Sequence, residues 1–268
     1  VAADQPSDPA RRHVDTDVGR LAYTVEGHGA ATVVAIPGLP GSVRDYRWLA
    51  PLLAQHATVV RIDLPGFGES PRAAHRGMST TQRADAVRAL LESLDLGAVT
   101  LVGHSSGSTP VVHLAVERPD LVSSVVLLAP TGPRPHYSQT TFRALAVAYR
   151  LPGFRLGART LVQRFFAAAG FPSSLSDAER EAAVLDASAL DFDQHAANLA
   201  ALTQPTLVCW ARDDPVIPSG IVADLVALVP DAHSMHLTTG GHNVQKTQAG
   251  RIADAVAAFV VPDGGAGA

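Results

Sequence analysis

The chain is poor in lysine, cysteine and aromatic residues, and each shortage narrows what it does. Lys246 is its only lysine, so its basic residues are almost all arginine, and no cationic run exceeds Arg11-Arg12. With a formal net charge of −4 and a pI near 6.2, it has no basic field to neutralise phosphates, so nucleic acid is not expected as a partner. One cysteine, Cys209, excludes an internal disulfide; it lies in the apolar run Thr206–Trp210 and reads as a small core residue. No apolar stretch reaches the ~20 residues of a membrane-spanning helix. Val1 is not methionine and no apolar signal core follows it. A leader removed in processing would leave no trace, so the compartment stays open, with the cytoplasm favoured.

What the chain does have is apolar mass. Hydrophobic residues make up 47% and charged residues 17% of its 268 positions, enough to bury a substantial core. Residues 1–12 and 262–268 have little to bury and are expected to be mobile ends. Between them, ahead of a last expected strand at Ser234–Leu237, short β-branched runs recur at Thr32–Ile36, Thr58–Ile62, Val99–Val102, Ser124–Leu128 and Thr206–Trp210. They show little polar alternation, as in strands covered on both faces. Helical periodicity fills Ser79–Leu94, Ser106–Glu117, Gly220–Leu228 and Gln245–Phe259, so the order is βαβα and the sheet is mostly parallel. The rhythm breaks over 131–204, where several helices and no strand are expected. The reading is a single domain, core 14–130 and 205–261, with 131–204 as a helical insertion. Its segments Phe142–Tyr149 and Leu161–Ala169 are apolar on more than one face, as in a lid over an apolar pocket.

The chemistry concentrates in Gly103-His104-Ser105-Ser106-Gly107, directly after one strand and directly before a helix. A turn this sharp strains its central residue, and flanking glycines remove Cβ atoms that would collide, so the Ser105 hydroxyl projects above the sheet. The Ser106 N–H, at the positive end of the following helix, can stabilise a developing oxyanion. A second donor is expected from Pro37-Gly38-Leu39-Pro40-Gly41-Ser42; Leu39 is the candidate, since Pro40 has no N–H.

A serine hydroxyl needs a base. Of eleven histidines, only His242 follows the last expected strand, in a glycine-opened loop at the sheet's C-terminal edge. His104 is expected to point away from the nucleophile, and all four of His104, His113, His233 and His236 to be structural or solvated. Asp213 and Asp214 follow the strand ending at Trp210, and either could reach the histidine loop; the register before Pro215 favours Asp214. Asp63 also ends a strand, but it opens a glycine-rich turn that it is expected to hold. Phe142, Phe165 and Phe166 are candidates for lining a substrate pocket, with packing inside the insertion as the alternative.

Together these segments resemble the α/β-hydrolase superfamily along nearly the whole chain, from about Val14 to Val260. Arg61–Ser70 is similar to its strand and turn before the first large helix, Gly103–Gly107 to its nucleophile elbow, Asp214–Pro218 to its acid loop and Gly241-His242 to its histidine loop. The resemblance implies an eight-stranded, mostly parallel sheet flanked by helices, with a helical cap after the sixth strand. It also implies a Ser105, Asp214, His242 triad and Leu39 and Ser106 as oxyanion donors. The chain departs from the family at Pro37, where a histidine is common, and at Lys246–Gln248. Serine at the elbow separates it from the dehalogenases and epoxide hydrolases, and His104 is more similar to esterases and lipases than to carbon–carbon bond hydrolases. The implied activity is cleavage of small to medium apolar carboxylic esters, with no metal and no organic cofactor required. The alternatives are a carbon–carbon bond hydrolase, a lactonase or a cofactor-free perhydrolase with the same triad, or a non-catalytic ligand-binding member of the fold. Oligomeric state is not legible.

Overall fold

The computed structural model describes residues 7–72, 77–151, 153–168, 171 and 173–260. Most of the two tails expected to be mobile lies outside the described residues. Eight strands form one sheet: β1 (Arg12–Thr16), β2 (Gly19–Glu26), β3 (Thr32–Ile36), β4 (Thr58–Asp63), β5 (Val99–His104), β6 (Val122–Leu128), β7 (Thr206–Ala211) and β8 (His233–Leu237). Their order is β1-β2-β4-β3-β5-β6-β7-β8. From β4 to β8 every pairing is parallel, while β2 runs antiparallel to both its neighbours. The β1–β2 hairpin has no counterpart among the strand runs read from the sequence. It sits at an edge, and only Leu21, Ala22, Tyr23 and Thr24 of its residues are buried, so it lacks the apolar run that marks a central strand.

Among the described residues, ten α-helices connect and cover the sheet: α1 (Ala50–Leu53), α2 (Thr80–Ser93), α3 (Ser108–Glu117), α4 (Tyr137–Arg150), α5 (Arg155–Ala168), α6 (Asp177–Ser188), α7 (Phe192–Ala200), α8 (Ser219–Leu228), α9 (Val244–Thr247) and α10 (Ala249–Val260). The period-two geometry of the strands divides their apolar side chains into two cores. Val34, Ile36, Leu101, Val125 and Leu127 face Leu90, Leu91, Val111, Val112, Ile221 and Leu225 of α2, α3 and α8. The intervening Val33, Ala35, Val102, Val126 and Leu128 face Leu53, Val244, Ile252 and Val256 of α1, α9 and α10. With both faces covered, the strands need no polar alternation, which accounts for their sequence pattern.

Helix starts follow local chemistry. Ser79 and Gln82 exchange a capping box at the head of α2, and Ser176 and Glu179 do the same for α6, satisfying amides that an α-helix leaves without internal partners. Two helical expectations are corrected. The segment after Ser105 begins as a tight 3-10 turn over Ser105–Gly107, and α3 starts only at Ser108. The C-terminal pattern is split at Gln248 into α9 and α10.

Between β6 and β7 the described residues hold α4 to α7 and no strand. α4 packs against α5 and α6, whereas α7 packs against α3 and α8 and so joins the helix layer of the core. Asp186 fastens α6 to the core: it is fully buried and accepts two hydrogen bonds from Arg72, at 3.1 and 2.9 Å, and one from the Met78 N–H at 2.7 Å.

Candidate active site

The parallel strands β5, β6 and β7 all end at the same edge of the sheet, so the loops that follow them converge there. Ser105 follows β5 with φ +51°, a left-handed conformation unusual for a residue with a side chain. The elbow is possible because of its glycines. A Cβ on Gly107 would lie 2.4 Å from the Pro37 carbonyl oxygen and 2.6 Å from that of Ile36, and one on Gly103 would lie 2.8 Å from the Gly107 oxygen. These neighbours are backbone and cannot yield. Gly107→Ala is therefore expected to destabilise the fold by ~3 kcal/mol or more, seen as a fall in the urea midpoint. An unchanged midpoint would refute this account of the turn.

Further bonds fix the elbow. The Ser105 carbonyl accepts from Ser108 Oγ at 2.6 Å and from the Thr131 N–H at 3.2 Å. Beneath it lies the buried Arg83, which donates to Thr109 Oγ1 at 3.2 Å and reaches the Ser106 carbonyl at 3.5 Å. Arg83 carried no signal in the sequence beyond its place in an amphipathic helix.

His242 Nε2 lies 2.9 Å from Ser105 Oγ, and His242 Nδ1 lies 2.8 Å from Asp214 Oδ2. Asp214 Oδ1 accepts the N–H groups of Val216 at 2.7 Å and Ile217 at 3.0 Å, which fixes the rotation of the carboxylate. Burial works against its charge, but the hydrogen bond and charge of His242, together with the two amides, hold its carboxyl below the usual range. An ionised Asp214 can only accept, so a neutral imidazole paired with it would carry its proton on Nδ1 and leave Nε2 free toward the serine hydroxyl. Asp213 has a different partner: its Oδ1 accepts the Gly241 N–H at 2.8 Å, tying the histidine loop to β7.

The loop after β3 presses on the nucleophile. A Cβ on Gly38 would come within 3.0 Å of Ser105 Cβ, so the neighbouring Leu39, half-buried, lies in a loop directly beside the serine. Ser106 occupies the first turn after it.

His104 has a structural place beside the histidine loop. Its ring lies against that of His242, centroids 5.0 Å apart, and its Nε2–H donates to the His242 carbonyl at 3.0 Å. Burial, reinforced by the neighbouring His242 charge, pushes its pKa down to about 3, so it is neutral near pH 7 and supports the histidine loop from below. His136, which the sequence reading overlooked, precedes α4. Burial lowers its pKa, while the nearby Asp214 carboxylate opposes and His242 adds to that shift. His113 bonds Asn198, His236 stacks on Trp210, and Asp63 accepts the Glu69 amide, which closes its turn, and the Val43 amide, which ties that turn to the segment after β3.

Phe142, Phe165 and Phe166 lie within the insertion, each ring within 6.0 Å of the next, and Phe166 also packs on Phe171. Phe166 is buried; Phe142 and Phe165 are half-buried. A cavity of about 440 Å³ lies elsewhere, between the Gly66–Arg72 turn and α6, and neither Ser105 nor His242 lines it. Among the described residues no group of three or more His, Cys, Asp or Glu side chains could hold a metal ion, and no helix is long and apolar enough to cross a membrane.

Residues 31–249 match the family model of the alpha/beta hydrolase fold. The chain belongs to that family. This hydrolase is 24% identical to the Bacillus subtilis hydrolase YugF over 94% of its own length and 98% of that protein. It is 28% identical to a 2-hydroxy-6-oxononadienedioate/2-hydroxy-6-oxononatrienedioate hydrolase of Cupriavidus pinatubonensis, covering 82% of this chain and 83% of the relative. Among solved structures it superposes on a thermophilic esterase from Thermogutta terrifontis with a TM-score of 0.74 at 20% identity, over 93% of this chain and 97% of the other. That last likeness is one of fold.

Proposed function

We propose that the hydrolase cleaves carboxylic esters of small to medium apolar compounds through an acyl-enzyme on Ser105. The relay of two short hydrogen bonds, 2.8 Å from Asp214 to His242 and 2.9 Å from His242 to Ser105, carries this reading. In it, His242 Nε2 takes the Ser105 proton as Oγ attacks the ester carbonyl. The Leu39 and Ser106 amides hold the oxyanion. His242 then protonates the departing alcohol, and a water deprotonated by the same imidazole attacks the acyl carbon, releasing the acid and restoring Ser105. Asp214 keeps the imidazole in its productive tautomer throughout and stabilises the cation.

Helices α4 to α6 act in this reading as a cap that shapes the acyl pocket. Phe142 and Phe165, which retain exposed surface, are its candidate walls, while the buried Phe166 supports them from behind.

A second reading is favoured by one observation, the similarity to the oxononadienedioate hydrolase of Cupriavidus pinatubonensis. It keeps the three residues and changes the scissile bond to carbon–carbon. A panel of p-nitrophenyl esters of rising acyl length, a lactone and a vinylogous 1,5-diketone separates the two. Esters are expected to turn over with a burst of nitrophenol, and diketone cleavage faster than that of every ester would replace the ester reading with the second.

A further inference from the structure

The surface of α4 and α5 differs from the rest of the molecule in two independent respects. First, of the seven large hydrophobic side chains exposed among the described residues, five are here: Val147 at 55%, Leu151 at 47%, Phe154 at 64%, Leu156 at 77% and Leu161 at 56%. Four of them cluster by chain proximity where the two helices meet, and Cβ atoms on Gly153 and on Gly157 of α5 would meet nothing within 4 Å, so both glycines border open space. Isolated exposed hydrophobics are ordinary, but a concentration of this kind marks a contact surface.

Second, the segment is charged with one sign. From Thr131 to Ser176 there are six arginines and no aspartate or glutamate, in a chain whose formal net charge is −4. Arg134 pairs with Asp224, and Arg155 and Arg159 lie beside Glu181. The other three, Arg143, Arg150 and Arg164, are exposed, and no described carboxylate pairs with them. Arg143, Val147 and Arg150 recur at the four- and three-residue spacing that places them on one face of α4. Apolar tips flanked by unpaired guanidinium groups fit an interface of hydrocarbon bordered by anions. A second copy of this chain would bring like charge against like charge at the same face, which opposes self-association.

We propose that the exposed face of α4 and α5, with Phe154 and Leu156 at its tip and Arg143, Arg150 and Arg164 around it, docks the hydrolase onto an anionic lipid surface. The side chains at the tip insert among the acyl chains and the arginines meet the headgroup phosphates. The reading is independent of the chemistry at Ser105, because none of these residues belongs to that site.

The test is flotation of the full chain with vesicles of phosphatidylcholine alone and of phosphatidylcholine mixed with phosphatidylglycerol. It is run on wild type and on Ser105→Ala, so that binding is read apart from turnover. Binding to the mixed vesicles is expected in both proteins, weakening as salt rises and weaker on phosphatidylcholine alone. Each Arg→Gln change at 143, 150 and 164 should cost about fivefold, and Phe154→Ser with Leu156→Ser together on the order of a hundredfold. All five positions are exposed, so the variants should keep the wild-type melting curve and esterase rate on a soluble substrate. Absence of binding to the mixed vesicles overturns the proposal, as does binding that ignores both the phosphatidylglycerol and the arginine changes. Self-association that disappears in the Phe154→Ser, Leu156→Ser protein also overturns it, assigning the face to a contact between copies of this chain.

Discussion

Replacing Ser105 with alanine is expected to lower kcat on a cleaved ester by roughly 10⁴- to 10⁶-fold, with the thermal midpoint almost unmoved. The asymmetry follows from what the hydroxyl touches. Its recorded hydrogen bond is to His242 Nε2, whereas the elbow is held by backbone atoms, namely the Ser105 carbonyl with Ser108 and Thr131. Alanine keeps those bonds and has a Cβ of the same size, so the left-handed conformation at this position is no harder to adopt than before. Stability should change by less than ~1 kcal/mol. Residual turnover comes from whatever the amides of Leu39 and Ser106 supply to an attacking water. A fluorophosphonate adduct on wild type, absent from the variant, would complete the result. A kcat within tenfold of wild type would remove Ser105 from the mechanism.

Asp214→Asn is expected to cost about 10⁴-fold in kcat, and Asp213→Asn less than about tenfold, although the two residues are adjacent. The reason lies in the two oxygens of Asp214. Oδ1 already accepts the Val216 and Ile217 amides, so an asparagine here must place its carbonyl oxygen on that side and its NH₂ toward His242. The amide then donates to Nδ1, which forces the imidazole proton onto Nε2. His242 would donate to Ser105 instead of accepting from it, and the base would be lost with the geometry nearly intact. At position 213 the Asp carboxylate only accepts the Gly241 N–H at 2.8 Å, and an asparagine carbonyl can do the same. Steady-state kinetics on both variants decides the matter. Equal losses, or a larger loss at 213, would reverse the assignment.

Parts of this site were readable because their residue types have few other uses. Glycines at 103 and 107 around a serine, between an apolar run and a helical pattern, point to a turn whose crowding the structure measures at 2.4 to 2.8 Å. The strands from Thr32 to Ala211 were legible because burial on both faces removes polar alternation. The β1–β2 hairpin was not, since an edge strand pair can be mostly polar and still pair. The partner of His104 was not legible either: it is the His242 carbonyl, on a loop 138 residues away in sequence. His136 and Arg83 were missed because a helix-preceding histidine and a helical arginine look alike whether they face solvent or the site.

By itself, the sequence determined the parallel αβ architecture, the position of the elbow and a short list of partners for it, because periodicity and glycine placement act through local sterics. Only the tertiary structure decided which aspartate meets the imidazole, where the ring of His104 lies, and that the phenylalanines pack on one another. Those outcomes depend on angles accumulated over many residues and on competition among distant side chains for the same few ångströms, and a linear pattern does not encode either.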